Sequence, residues 1–254
     1  MRFRSLLFGF IALAAFAGDP QAFEANFYFG MKASNYYRDN SQGDNFFGQR
    51  GFFMVETQST WSANTRPLAL FGSIILEGKN QAAYTPSADS EVLGYSKSVV
   101  KETGNYSAEV GLRWAPFPQG DGGLARPVTR LYLVTSVTFR NVTQTEFNTS
   151  TGAVTNTWID RSISSGKFGI QLRNDKPDTS YRGTFVEIAY LKDEFYTQAQ
   201  SRFLVRGRLV SQTQIKGKLE GGFFLEGSIN RSIGHPSIVE KDESSIIVGL
   251  NFTF

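Results

Sequence analysis

The chain has 254 residues, no cysteine, 41% hydrophobic residues and a formal charge of +3. Without cysteine no disulfide framework holds it together. No apolar run in its body approaches the ~20 residues of a membrane helix, which excludes a helical membrane protein. Aromatics at 14% and 25 glycines suit instead a sheet with aromatic borders and close strand approach.

The start, Met1-Arg2-Phe3-Arg4, is charged, and Ser5 to Phe16 is a short apolar stretch ending in Ala15-Phe16-Ala17. This is the pattern of a secretory signal peptide with an A-x-A cleavage site, so residues 1–17 are expected to be removed and 18–254 to form the mature domain. Arg2 and Arg4 supply two of the three net positive charges, which leaves the mature chain at +1 and makes no case for nucleic acid as a partner.

Ten strand-like stretches follow, each with apolar residues at every second position. Ala25 to Ala33 sets Phe27, Phe29 and Met31 against Tyr28 and Lys32, and Phe52 to Ser62 sets Phe53, Val55 and Trp61 against Glu56 and Gln58. Leu68 to Glu77 opposes Leu70, Ile74 and Leu76 to Ser73 and Glu77, and Tyr106 to Pro116 opposes Val110, Leu112 and Trp114 to Glu109 and Arg113. In Thr129 to Asn141, Leu131, Leu133, Val137 and Phe139 lie across from Arg130, Tyr132 and Arg140. Ser164 to Arg173 places Phe168, Ile170 and Leu172 opposite Lys167, Gln171 and Arg173, and Thr184 to Leu191 places Val186, Ile188 and Tyr190 opposite Glu187. Ser201 to Ser211 carries Arg202, Arg206 and Arg208 on its polar face, and Lys216 to Ile229 carries Glu220 and Glu226. The last stretch, Ser244 to Phe254, has Ile246, Val248, Leu250, Phe252 and Phe254 on one face.

Connections alternate in length. Tyr36 to Gly51, Gly78 to Asn105, Asn141 to Asp160, Lys192 to Ala199 and Arg231 to Glu243 form one set. Ser62 to Pro67, Ala115 to Pro127, Asn174 to Arg182 and Ser211 to Ile215 form the other, shorter on the whole. Long outer loops and short inner turns characterise transmembrane barrels. The expectation is an all-β, closed, antiparallel up-and-down transmembrane β-barrel of about ten strands. Eight is an alternative, and a further hairpin within Gly78 to Asn105 would make twelve.

The final stretch also resembles the C-terminal assembly signal of Gram-negative outer-membrane β-barrels, on the strength of Gly249, Phe252 and the terminal Phe254; Ile247 stands where that signal prefers a polar residue. The resemblance implies residence in the cell outer membrane, with the surrounding lipid and the barrel-assembly machinery as partners. It implies no cofactor.

Function then resides in the interior or the outer loops. Arg113, Arg130, Arg140, Lys167 and Arg173 share the polar parity of neighbouring strands against Glu109, a basic wall that would favour anions along any water path. Glu187, Arg206 and Glu220 are expected at similar height on three adjacent strands, and Arg140 opposite Lys167; Arg202, Arg208 and Glu226 complete the candidate lining. A narrow porin-like channel for small solutes or ions, or a barrel sealed by ion pairs, fits this lining. A surface-binding barrel acting through Gly78 to Asn105, with Tyr84 and Tyr95, is the alternative. A hydrolase would have to use the single histidine, His235, beside Pro236 and Ser237, so no enzyme is expected. One imidazole and no thiol give no metal site.

Overall fold

Strict alternation is realised as strand pairing in the computed structural model, which describes residues 23–38, 44–61, 68–78, 80–83, 98–102, 105–117, 129–148, 157–174, 180–194, 200–233 and 242–253. The strands are β1 (Phe23–Arg38), β2 (Asp44–Trp61), β3 (Leu68–Glu77), β4 (Asn80–Ala83), β5 (Ser98–Glu102) and β6 (Asn105–Trp114). They continue as β7 (Thr129–Asn148), β8 (Thr157–Asn174), β9 (Phe185–Glu194), β10 (Gln200–Lys216), β11 (Leu219–Ile233) and β12 (Asp242–Thr253). Every pairing is antiparallel, and β1 pairs with β12 from Asn26↔Thr253 to Tyr37↔Asp242, which closes the sheet on itself.

Twelve segments make ten barrel strands. Both β5 and β6 pair with β7, and their partners on the other side are β4 and β3 respectively. Thus β4 prolongs β3, and β5 leads into β6, on the same two strands of the wall. The hairpin anticipated as an addition to the barrel raises its wall instead.

The face assignment follows from exposure. Phe168, Leu209 and Phe223 are 61%, 61% and 71% exposed, while Tyr28, Glu187 and Arg208 at the opposite parity are 1–2% exposed. An apolar belt turned outward all round a closed sheet belongs in hydrocarbon, and closure leaves no strand edge there to be satisfied by water. On β7 the outward-facing apolar residues include Leu131, Leu133, Val137 and Phe139, and the strand continues to Asn148.

The closing seam depends on glycine. Gly30 lies opposite Gly249, where a Cβ would overlap the Phe29 carbonyl oxygen and approach Gly30 Cα to 2.7 Å. The neighbouring Ile247, at the position where the assembly signal prefers a polar residue, turns inward and packs with Tyr28, Met54 and Phe224.

Strand lengths correct the sequence reading at one end of the barrel. The loops expected at Tyr36 to Gly51 and Asn141 to Asp160 are paired hairpin arms, with Arg38 opposite Asp44 and Glu146 opposite Thr157. Alternating hydrophobicity ends where lipid ends, but backbone hydrogen bonding does not. At roughly 3.3 Å per residue the 20 residues of β7 far exceed the ~9–11 needed to cross a bilayer. At the other end the turn expected at Ser211 to Ile215 is the two-residue turn Gly217-Lys218, with Gly217 at φ +61°. The signal sequence 1–17, Tyr84, Tyr95, His235, Pro236, Ser237 and Phe254 lie outside the described residues.

Candidate functional site

The interior is built by parity: all eleven candidate lining residues carry the register of the inner face. Arg113, Lys167, Arg173, Glu187, Arg202, Arg208 and Glu226 are buried there, and Arg130, Arg140, Arg206 and Glu220 are half-buried. Three groups of ion pairs stand out on the inner face, and two of them involve these residues.

Glu56 is the centre of the first group. Its carboxylate accepts Arg208 Nη1 at 2.6 Å and meets Arg113 Nη2 at 3.4 Å and Arg173 Nη1 at 3.6 Å. Arg208 donates through Nε to Glu226 at 2.6 Å, and Arg113 donates to Gln58 at 2.7 Å. Aromatic rings seat the guanidiniums: Arg113 lies 4.0 Å from the Phe71 centroid, Arg208 4.5 Å from Tyr28 and 5.0 Å from Phe185. In the second group Lys167 bridges Glu109 at 2.6 Å and Glu187 at 2.9 Å, and Glu187 also accepts Gln171 at 2.7 Å and meets Arg206 at 3.3 Å. Ser136 donates to Glu109 at 2.6 Å. The third group lies toward the long-hairpin end, where Lys32 bridges Glu77 at 2.9 Å and Glu243 at 2.8 Å, and Arg50 donates to Glu77 at 2.8 Å.

The opposite end carries a polar ring. Thr253 donates to Asn26 at 2.5 Å, Asn251 to Gln212 at 2.9 Å and Gln212 to Glu220 at 2.8 Å; Arg182 pairs with Glu24. Here Gly183, at φ +86°, shapes the turn between β8 and β9, whose Ser180 carbonyl accepts the Gln212 backbone N–H at 2.8 Å.

Two registers differ from expectation. Arg206 lies opposite Glu187 on β9, as expected, but opposite Ser228 on β11, so Glu220 is not its neighbour; Glu226 pairs with Arg208 instead. Displacement of the turn to Gly217-Lys218 slides β11 along β10. Similarly, Lys167 lies opposite Ser136, and Arg140 opposite Ile163, because β7 and β8 run on as a long hairpin. Three residues of the basic wall are compensated: Arg113 and Arg173 converge on Glu56, and Lys167 is held by two carboxylates. Lys32, Arg50, Glu56, Glu77 and Glu243 were absent from the candidate lining although inner-face parity marks each of them.

Chemically, the arrangement is a network of paired charge on the inner face. An ion taken out of water is costly unless paired and hydrogen-bonded, and these groups are paired across the bore. In the mid-barrel Glu187 and Gln171 are each only 1% exposed and Arg208 2%.

No protein-family model matches the sequence, and no curated protein matches it. Solved structures do. The translocator domain of the autotransporter NalP from Neisseria meningitidis matches at 11% identity and TM-score 0.44, over 99% of this chain and 96% of that one. The outer membrane protease OmpT from Escherichia coli matches at 14% and 0.40, over 92% and 97%. Ail, the attachment invasion locus protein of Yersinia pestis, matches at 11% and 0.36, over 91% and 98%. A fold does not by itself give a function, so function has to be argued from the interior and the hairpins. The chain is a closed, ten-stranded, antiparallel up-and-down transmembrane β-barrel, and its structural neighbours are outer-membrane β-barrels of Gram-negative bacteria.

Proposed function

We propose that the chain resides in a bacterial outer membrane as a sealed barrel that acts through the hairpins raised above its rim. The convergence of Arg113, Arg173 and Arg208 on Glu56 carries this reading, because it fills the bore with paired charge where a pore needs water. Two observations support action at the rim. The β7–β8 hairpin rises well beyond the apolar belt, and β4 and β5 pair alongside it to widen the projecting wall. A projecting surface on a rigid barrel suits binding to a partner outside the cell. The long-hairpin end then faces outward and both chain termini lie in the periplasm.

Planar-bilayer recording of the reconstituted barrel tests the sealed state. No steady conductance is expected. Sustained conductance favouring chloride over potassium would overturn this reading and restore the narrow anion channel.

A further inference from the structure

The Glu56 group has an unusual distribution around the wall. Following the strand order, β8 and β10 each lie four strands from β2, in opposite directions. Arg173 and Arg208 therefore reach Glu56 from two sides of the bore, and Arg113 reaches it from β6. One carboxylate gathers three cations that would otherwise repel one another.

Each of two guanidiniums has a second seat on the wall. Arg113 stacks over Phe71 and Arg208 over Tyr28, contacts that do not involve Glu56. Charge is unevenly shared as well: in the mid-bore Glu56, Glu109, Glu187 and Glu226 face these three guanidiniums together with Lys167 and Arg206. Removing the Glu56 charge leaves three carboxylates against five cations.

We propose that Glu56 is the latch of the plug, and that the sealed bore is a latent anion-selective path held shut by this one carboxylate. The inference rests on the sealed-barrel reading. Without the latch, like-charge repulsion drives the three guanidiniums apart, Arg113 and Arg208 staying on their aromatic seats, and the fixed positive excess selects anions.

The experiment compares wild type, Glu56→Gln, Glu56→Asp and the double variant Glu56→Gln/Arg173→Gln in planar bilayers under a potassium chloride gradient, with folding verified by heat-modifiable gel migration. Wild type is expected to stay closed, Glu56→Gln to conduct with chloride preferred over potassium, and the double variant, whose charge balance is restored, to conduct less than Glu56→Gln. A folded Glu56→Gln that stays closed, or conducts without anion preference, overturns the latch while leaving the sealed wild type intact. Conductance in wild type overturns both readings. If Glu56→Gln does not fold, Glu56→Asp decides: its carboxylate is one methylene too short to hold all three partners, so brief anion-selective openings are expected and an unbroken closed state overturns the proposal.

Discussion

Arg208→Met removes a guanidinium that serves two buried carboxylates. Arg208 is 2% exposed and donates two hydrogen bonds of 2.6 Å, from Nη1 to Glu56 and from Nε to Glu226. Met fills much of the same volume but abandons two carboxylates. Glu56 keeps Arg113 and Arg173 at 3.4 and 3.6 Å, whereas Glu226 loses its 2.6 Å partner. Breaking a buried pair from one side costs about 3–5 kcal/mol, a fall of roughly two to four powers of ten in the folding equilibrium. Arg208→Lys should lose part of this, since one ammonium does not reproduce a rigid fork serving two acceptors. Adding Glu226→Gln to Arg208→Met should recover about 1–3 kcal/mol, the coupling of neighbours in one network. Urea unfolding in lipid vesicles, followed through the three tryptophans, measures each step. An Arg208→Met barrel within about 1 kcal/mol of wild type, the value of an exposed pair, would refute the view that these charges are desolvated and structurally coupled.

Lys167→Ala should cost about 3–5 kcal/mol, because Lys167 separates Glu109 from Glu187; Arg206→Ala should cost less, about 1.5–3 kcal/mol, because Glu187 keeps Lys167 and Gln171. The reverse order in urea titrations would contradict the observed partners. Gly249→Val should abolish the heat-modifiable folded band, whereas Gly227→Ala, with nothing within 4 Å of the added Cβ, should preserve it. In the cysteine-free chain, Lys192→Cys should react with a membrane-impermeant maleimide on intact cells and Lys218→Cys, at the turn of the opposite end, should react only after lysis. Labelling of Lys218→Cys alone would invert the orientation.

Which residues face inward was legible in the sequence, and which of them meet was not. Side-chain parity is local, set by every second position, so Arg113, Lys167, Glu187 and Arg208 could be assigned to one face from their own strands. Register belongs to the hairpin. The two-residue turn at Gly217-Lys218 replaced Glu220 with Ser228 opposite Arg206, and the long β7–β8 arms replaced Arg140 with Ser136 opposite Lys167. The longest-range partners were less legible still. Nothing local to Glu56 points to Arg208, which is 152 residues away and meets it only across a closed bore.

That separation has a kinetic consequence. The hairpins pair residues near in sequence, so β1–β2 or β10–β11 can zip as soon as both arms exist. The seam joins Asn26 to Thr253 and Ser34 to Glu243, pairs separated by 227 and 209 residues, and has to wait for the final strand. Until then the sheet is open on one side and its inner charges remain hydrated. Loop closure over such distances is slow, and the desolvation of Glu56, Arg208 and their neighbours is deferred to the same event. Zipping of the seam and formation of the cross-bore pairs to Glu56 therefore merge into one late barrier, before which the chain is a curved sheet and after which it is slow to reopen.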